Sequence, residues 1–385
     1  MTAGQSGTTV IPKSPEDGVA LAVSGGGYRA MVFHVGSLIR LNEVGLLKKL
    51  ARISSVSGGS ITAGVLGLSW KELRFRNGIV ENLELVVARI RAMADTTIDA
   101  GAIIGGILLP GSISDRVAEA YDDILFKGKK LQDLPDDAQG EGPRFVFNAT
   151  SVQTAALWRF SRNYMGDYRV GLVRNPDFKL SAAVAASSAF PPVLSPSTLE
   201  INQNVDDVTG TDLHRAPYTK TVVLSDGGVY DNMGLETIEK RYTTVLVSDA
   251  GQKIAPEESP HHDWARHAMR ILDIVDNQVR SLRKRQLIDA YERGDHSGCY
   301  WGIRTHFKDY GLTADPLKCA NRDPTPLAEI PTRLERMPRD VQDRLMNWGY
   351  AVCDAALRAH IPDALRTKLG IAIPDPKGFP FSGGY

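Results

Sequence analysis

The segment GVALAVSGGGYRA, Gly18 to Ala30, joins a short apolar run to three glycines and the start of a helical pattern. The run GVALAVS is typical of a strand buried inside a parallel sheet. After the glycines, apolar residues recur at helical spacing at Met31, Val35, Leu38 and Leu41. The segment therefore predicts a strand, a glycine turn and a helix over residues 28–47.

A second unit of the same kind follows. LARISSV, Leu50 to Val56, predicts a strand, SGGS a turn, and the small residues up to Ser69 a helix. Two successive strand-turn-helix units imply a parallel sheet with right-handed crossovers. Further strands are predicted at 144–150, 221–225, 243–248 and 300–305, helices at 264–291 and 339–360, and surface loops at 201–220 and 251–262.

No internal repeat or linker divides the chain. We predict a flexible polar tail over residues 1–17 and a single α/β domain over residues 18–385. Its catalytic core spans residues 18–252, and residues 253–385 form mainly helical additions. The expected architecture has three layers, with a mostly parallel central sheet flanked by helices.

Composition excludes several classes of protein. The 385 residues include 45 Lys and Arg and 45 Asp and Glu, so the basic excess of a nucleic-acid binder is missing. Cys299, Cys319 and Cys353 are too few and too scattered for a disulfide framework or a metal knuckle, which favours a protein of the reducing cytoplasm. The N-terminus lacks signal-peptide features, and the longest apolar stretch, residues 100–109, is shorter than the ~20 residues that cross a bilayer.

The glycine turn indicates an anion-binding loop, because the N–H groups at a helix N-terminus attract negative charge. Gly25, Gly27 and Ala30 also match the G-x-G-x-x-A pattern of dinucleotide-binding proteins. That pattern requires an acidic residue at the end of the second strand, where the sequence has ISSVS. An oxyanion-binding turn is the better interpretation.

Ser57 is the candidate nucleophile, since a sharp strand-to-helix turn exposes a serine hydroxyl. The alternative is a helix cap. Asp226, in LSDGGVYDN, ends another predicted strand and is the candidate base, with Asp249 in VSDAG as a second choice and a turn-forming role as the alternative. We expect these strand ends to meet at one edge of a parallel sheet. His261 or His306 could complete a triad, but a Ser-Asp dyad is favoured.

SGGGYRAM, SVSGGS and SDGGVYDN, in this order, resemble the patatin-like phospholipases, especially the branch of the cytosolic phospholipases A and fungal phospholipases B. ASSAFPPVLSP, residues 186–196, is similar to the segment before the patatin aspartate. The resemblance spans residues 18–251 and is weaker beyond. Ser24 and Ser55 stand where plant patatins carry Asp and Gly.

The resemblance implies a catalytic role for each motif. Ser57 would be the nucleophile, Asp226 its base, and Gly25, Gly26 and Gly27 the oxyanion hole. Arg29 matches an arginine associated with the phospholipid head group, and a salt bridge at the helix start is the alternative. The expected enzyme is a serine lipid acyl hydrolase of phospholipase A type that needs no cofactor and contacts the inner membrane face peripherally.

Alternatives stay open at this level. A ligand-gated bacterial defence phospholipase would respond to a small-molecule activator such as a cyclic nucleotide, and a dinucleotide-binding protein would hold a cofactor. The apolar residues 102–111 are a candidate lid or interfacial patch, or else a core helix. The basic cluster Arg280, Arg283, Lys284 and Arg285 suits anionic lipids or a regulator, or else is a solvated helix face.

Overall fold

The computed structural model describes residues 14–98, 113–208, 210–252 and 254–385. The strands in these ranges are β1 (Glu16–Val23), β2 (Leu50–Val56), β3 (Phe75–Arg76), β4 (Ile79–Val80), β5 (Arg144–Ser151), β6 (Ala156–Phe160), β7 (Tyr164–Asp167), β8 (Gly171–Arg174), β9 (Ser197–Glu200), β10 (Thr221–Asp226), β11 (Tyr242–Asp249) and β12 (Ser297–Gly302). The helices are α1 (Gly27–Glu43), α2 (Gly58–Ser69), α3 (Glu84–Ala94), α4 (Ile113–Tyr121), α5 (Leu180–Ser187), α6 (Gly228–Asp231), α7 (Trp264–Arg293), α8 (Thr325–Ala328), α9 (Arg339–His360) and α10 (Asp363–Leu369).

One large sheet organises the chain, with strand order β12-β11-β1-β2-β5-β6-β7-β8. The first five of these strands are parallel, and β5 to β8 form an antiparallel meander. Helices cover the sheet. The predicted α/β class, with a mostly parallel central sheet between helices, is confirmed.

The direction of β10 differs from the one predicted from the sequence. It is antiparallel to β5, and it pairs beside β5 where β2 stops: Val56 lies opposite Asn148, and Asp226 lies opposite the next residue, Ala149. The carboxyl ends of β2 and β10 therefore meet head to head on one side of β5. Ser57 and Asp226 come together through this junction, and not because parallel strands end at a common edge.

The strand β1 is buried on both faces. Val19, Leu21 and Val23 belong to the main core, whereas Ala20 and Ala22 join a smaller core on the other face. This alternation follows from the two-residue period of a strand.

On the main face, α1 crosses α9 at two glycines. A Cβ atom on Gly36 would lie 1.8 Å from the Met346 carbonyl oxygen, and one on Gly349 would lie 2.1 Å from that of Phe33. The ion pair of Arg40 with buried Asp354 joins the same two helices. Part of the C-terminal region is thus built into the core beside β1.

Several elements differ from the sequence predictions. α1 ends at Glu43, close to Gly45 with its φ of 73°. β12 covers 297–302 instead of 300–305, and β6 to β9 were not predicted. Loops were predicted correctly at 201–220 and 251–262, apart from residues 209 and 253, which are not described. The apolar segment 102–111 lies outside the described residues. Within the described part of the chain, every helix is too short or too polar to span a bilayer.

Candidate active site

Ser57 occupies a sharp turn between β2 and α2. Its φ of 50° and ψ of −121° lie in a region that residues other than glycine rarely adopt. Such strain persists only where the surroundings enforce it, and it is the backbone form that lifts a nucleophilic serine out of a strand end. The residue is 7% exposed, so its hydroxyl is largely shielded from water.

The two glycine turns are in direct contact. A Cβ atom on Gly58 would lie 2.0 Å from the Gly27 carbonyl oxygen, and one on Gly25 would lie 3.2 Å from Cβ of Ser57. Glycine is therefore needed for close approach. The N-termini of α1 and α2 meet here, so their dipoles favour negative charge beside the Ser57 hydroxyl.

The three glycines of the first turn are not equivalent. Gly25 N–H donates to the Asn232 carbonyl at 3.0 Å. Gly26 and Gly27 lie at the start of α1, and their N–H groups have no hydrogen-bond partner among the described residues. Of the three predicted oxyanion-hole residues, these two present free backbone donors, while Gly25 fixes the turn to the segment that follows Asp226.

Asp226 is 2% exposed, and one of its oxygens is left available. Oδ1 accepts a hydrogen bond from Gly228 N–H at 2.7 Å, whereas Oδ2 is buried with no partner in the described structure. Burial raises the pKa of Asp226 to about 7, against lowering contributions from Gly228 N–H and the Ser57 hydroxyl. The serine is thus near enough to affect the carboxyl group, while an aligned hydrogen bond is absent, as is common in a site without substrate.

Ser187, which was not singled out from the sequence, links the two candidate catalytic residues. Its Oγ accepts from Ser57 N–H at 3.0 Å and donates to the Asn148 carbonyl at 2.7 Å. Its own carbonyl accepts from Gly227 N–H at 3.2 Å. Ser187 lies in the ASSAFPPVLSP segment, so the only signal for it in the sequence was that motif.

His34 supports the first glycine turn from inside the core. Its ring nitrogens lie 2.8 Å from Ser248 Oγ and 3.0 Å from the Ser24 carbonyl oxygen. Burial lowers the pKa of His34 to about 4, although Ser24 and Asp249 act in the opposite direction. The imidazole is therefore neutral at pH 7 and holds the ends of β1 and β11 together.

Arg29 does not lie where a head-group ligand was expected. Its side chain is fully buried; Nε and Nη2 donate to the Ala250 carbonyl at 3.2 and 2.9 Å, and Nη1 donates to the Ile330 carbonyl. Burial and the nearby Arg280 lower the pKa of Arg29 to about 10, which leaves it cationic at pH 7. In this arrangement the guanidinium group braces the backbone behind Gly26, so direct phosphate contact is not supported.

Asp249, the rival base, is engaged elsewhere. Its Oδ1 accepts from Gly251 N–H at 2.8 Å, its Oδ2 accepts from the Tyr300 hydroxyl at 2.7 Å, and Arg280 lies 3.8 Å away. Burial acts to raise the pKa of Asp249, but Arg280, Gly251 N–H and Tyr300 outweigh it and the pKa is lowered. Asp249 is an ionised, fully partnered carboxylate.

A cleft of about 390 Å³ lies beside Asp249 and is lined by cations from two segments of the chain, Arg280 and Lys284 of α7 and Arg304 after β12. Neither Ser57 nor Asp226 belongs to the described lining of this cleft. The cleft is therefore separate from the candidate catalytic pair. The two histidines considered for a triad are also apart from the pair: His261 is exposed near Asp263, and His306 precedes a short turn near Asp323.

The arrangement suits acyl transfer. Ser57, with its strained backbone, lies beside a carboxyl group with a pKa near neutrality. The N–H groups of Gly26 and Gly27, unpaired among the described residues, can donate to an oxyanion. A dinucleotide site is not favoured, because β2 ends without a carboxylate that could hold a ribose.

Known proteins share this organisation. A family model described as "Patatin-like phospholipase" matches residues 21–238. The solved structure of human GIVD cytosolic phospholipase A2 matches with a TM-score of 0.54 and 14% identity, covering 92% of this chain and 60% of that one. The chain thus spans 60% of that protein's length, and at this identity the likeness shows a shared fold.

Other comparisons add less. VipD from Legionella pneumophila has a TM-score of 0.36 and 15% identity over 90% of this chain and 68% of that chain, which is too low to support an argument. No curated protein is similar enough in sequence to count as a match.

Proposed function

The chain belongs to the patatin-like phospholipase family, and from that premise we propose that it is a serine lipid acyl hydrolase that cleaves carboxylic esters of glycerophospholipids. One observation supports this most: Oδ2 of Asp226 has no partner among the described residues, at the junction with the strained Ser57, and burial raises the pKa of Asp226 to about 7. A buried carboxyl group of this kind is costly to maintain and is typical of a catalytic base.

In the proposed reaction Asp226 accepts the proton of Ser57, and Oγ attacks the ester carbonyl carbon. The N–H groups of Gly26 and Gly27 donate to the oxyanion, each contributing roughly 3 kcal/mol. The lysophospholipid or alcohol leaves with the proton held by Asp226. Water then attacks the acyl-enzyme with Asp226 as base and releases the fatty acid.

The raised pKa of Asp226 serves both halves of this cycle. A carboxylate with its ordinary pKa of ~3.9 would be a weak base toward a serine hydroxyl. With a pKa near 7 the group takes a proton more readily and still returns it to the leaving oxygen. We assign Arg29 and His34 to positioning, since both hold the backbone around the first glycine turn.

The test combines labelling by a fluorophosphonate probe with fatty-acid release from phospholipid vesicles. The wild type should label and hydrolyse, whereas Ser57→Ala should do neither and Asp226→Ala should lose hydrolysis. Ser382→Ala and Asp289→Ala, which change residues away from the site, are the matched controls and should behave as wild type. Labelling that survives in Ser57→Ala, or hydrolysis that survives in Asp226→Ala, would contradict the proposed dyad.

A gated form of the same activity is the second candidate. The cation-lined cleft beside Asp249 is a favourable place for a phosphorylated small molecule. Gating predicts that purified protein is inactive until such a ligand is added, with cyclic nucleotides as the first probes. Full activity without any added ligand would exclude gating and leave a constitutive enzyme.

A further inference from the structure

The long helix α7 exposes an unusual amount of apolar surface. Of its 30 residues, two are buried, Leu287 and Ala290, and both lie near its C-terminal end. Trp264 is 85% exposed, and the other large exposed apolar residues of the helix are Ile271, Leu272, Ile274, Val275 and Leu282. A concentration of this kind on one element marks an interaction surface.

These residues form a stripe along one side of α7. Trp264, Ile271, Val275 and Leu282 follow one another after seven, four and seven residues, so they lie on one face of the helix. We call this set the α7 stripe. Leu272 and Ile274 flank it.

The opposite side of α7 contacts the protein, through polar side chains along most of the helix and through Leu287 and Ala290 near its C-terminal end. Arg280 donates to the Gln252 carbonyl at 2.6 Å, and Arg283 lies 3.2 Å from Glu236. Asp276, on the same side, raises the pKa of Asp226 through its charge. An ordinary surface helix turns its apolar side inward. α7 has the reverse orientation up to its C-terminal end, where Leu287 is buried, so its stripe is available to an external partner.

The helix that carries the stripe lies close to the candidate catalytic residues. Arg283 of α7 lies 3.8 Å from Asp231 of α6, the short helix that follows Asp226. Other exposed apolar side chains border the same site: Val229 follows Asp226 by three positions, and Phe190 follows Ala189, whose carbonyl accepts from Asp226 N–H at 2.8 Å. We call Val229, Phe190 and the α7 stripe together the apolar rim of the site.

The charges of α7 indicate what kind of surface fits. The helix carries seven Lys and Arg against four Asp and Glu, in a chain whose net charge is zero. Five of these cations are paired with carboxylates of the protein and Lys284 lines the cleft beside Asp249, whereas Arg285 is exposed on the flank of the stripe. An apolar stripe with a tryptophan, combined with basic residues, is the composition of a helix that lies in the interface of an anionic membrane.

We infer that α7 is a membrane-docking helix: the α7 stripe enters the acyl region of an anionic bilayer and Arg285 meets the head groups. This rests on the proposed function, because a phospholipid ester must reach Ser57 from a bilayer held at the apolar rim. A second copy of the chain on the same stripe would instead cover that rim.

The experiment uses full-length Ser57→Ala protein, so that binding is measured without hydrolysis. Vesicles of phosphatidylcholine, with and without phosphatidylglycerol, are titrated and binding is followed by sedimentation and tryptophan fluorescence. Trp70, Trp158, Trp301 and Trp348 are buried, so a blue shift on binding reports on Trp264. We expect a blue shift and tighter binding to vesicles that contain phosphatidylglycerol.

The test variant adds Ile271→Gln and Val275→Gln, both at exposed positions, and the matched control adds Ile79→Gln on the hairpin β3–β4. We expect at least tenfold weaker vesicle binding in the test variant with an unchanged melting temperature, and parental binding in the control. Arg285→Gln should weaken binding only to the anionic vesicles.

Three results would overturn the inference. They are equal vesicle binding by parent and test variant, no binding by the parent, and a parental dimer in light scattering that the two glutamines convert to monomer without any effect on vesicles. Failure of the proposed function is distinguishable, because stripe-dependent binding of Ser57→Ala protein would persist even if the wild type released no fatty acid.

Discussion

Asp226 and Asp249 end two strands of the same sheet in nearly the same local sequence, LSDGG and VSDAG, and have opposite electrostatics. In both, a glycine N–H two residues on donates to Oδ1, at 2.7 and 2.8 Å. The difference lies at Oδ2, which accepts from the Tyr300 hydroxyl in Asp249 and has no partner in the described part of the chain in Asp226. Arg280 adds to this difference, so the pKa of one aspartate is raised and that of the other is lowered.

The comparison shows that an aspartate at a strand end becomes a base when no cation or second hydrogen-bond donor stabilises its anionic form. Asp249 is stabilised as an anion by a cation and a phenol, which makes it a poor proton acceptor. Asp226 is desolvated with its free oxygen near Ser57. The predictions below test this contrast, beginning with the largest effect.

Asp226→Asn and Asp249→Asn should separate activity from stability. Loss of the proposed base should lower kcat by about 10³-fold, within the range for general base catalysis. Asp249→Asn should keep activity within about tenfold and lower the free energy of unfolding by about 3 kcal/mol, since it removes the buried anion beside Arg280. Initial rates and chemical denaturation measure both, and the reverse assignment would break the comparison.

Ionised Asp226 should also lower the free energy of unfolding above neutral pH. Its pKa is raised from 3.8 to about 7 in the folded protein. Between these values the unfolded chain loses the proton first, so this group's contribution to the free energy of unfolding falls as pH rises. Asp226→Asn should therefore be more stable than wild type at pH 8, by roughly 4 kcal/mol at most, with no such gain near pH 3.8. Denaturation at the two pH values checks this.

Gly58→Ala should disrupt the contact between the two glycine turns. The new Cβ would lie 2.0 Å from the Gly27 carbonyl oxygen, so the turns must separate. We expect a fall in kcat of about 100-fold, as for a displacement of about 1 Å at a reacting centre. Gly378→Ala, where no atom lies within 4 Å, is the control and should be neutral. Full activity in Gly58→Ala would argue against the assembled oxyanion site.

The pH dependence of kcat/KM should follow the ionisation of Asp226 and not that of Asp249. With the pKa raised to about 7, kcat/KM should fall about tenfold per pH unit below neutrality and level off above it. A base like Asp249, whose pKa is lowered, would give a flat profile from pH 5 upward. Hydrolysis of a soluble ester between pH 5 and 9 distinguishes the two.

Ser187→Ala should have the smallest effect. It removes the Oγ that accepts from Ser57 N–H but leaves the Ser187 carbonyl on Gly227. We expect a loss of roughly 1 kcal/mol in transition-state stabilisation, about fivefold in kcat, with KM nearly unchanged. Ser195→Ala is a control because Ser195 Oγ donates to Ser225 Oγ and not to the turn that holds Ser57.

The elements that local pattern encodes were predicted well. The apolar runs and glycine turns gave β1, β2, β5, β10 and β11, and helical spacing gave α9 over Arg339–His360. The short strands β6 to β9 were missed because four or five residues with mixed polarity have no decisive period. β12 begins earlier than predicted, at Ser297, where Gly298 adopts a φ of 131° close to the Val245 carbonyl.

The candidate site residues that were found from the sequence are those that lie in a short turn motif. Ser57, Asp226 and the glycine turn have short motifs, and their catalytic roles stay predictions. Arg29 and Ser187 could not be placed in this way. Whether an arginine faces a ligand or two carbonyls depends on Ala250 and Ile330, which are more than two hundred residues away in sequence.

The sequence by itself determined the family, the α/β class and the candidate nucleophile and base, because glycine turns and apolar periods act over a few residues. The tertiary structure decided the rest: β10 runs antiparallel and meets β2 head to head, one oxygen of Asp226 has no partner among the described residues while Asp249 is stabilised as an anion by Arg280 and Tyr300, and most of α7 turns its polar side inward. These outcomes depend on desolvation and on charges brought together from distant segments, and such interactions exist only once the chain has folded.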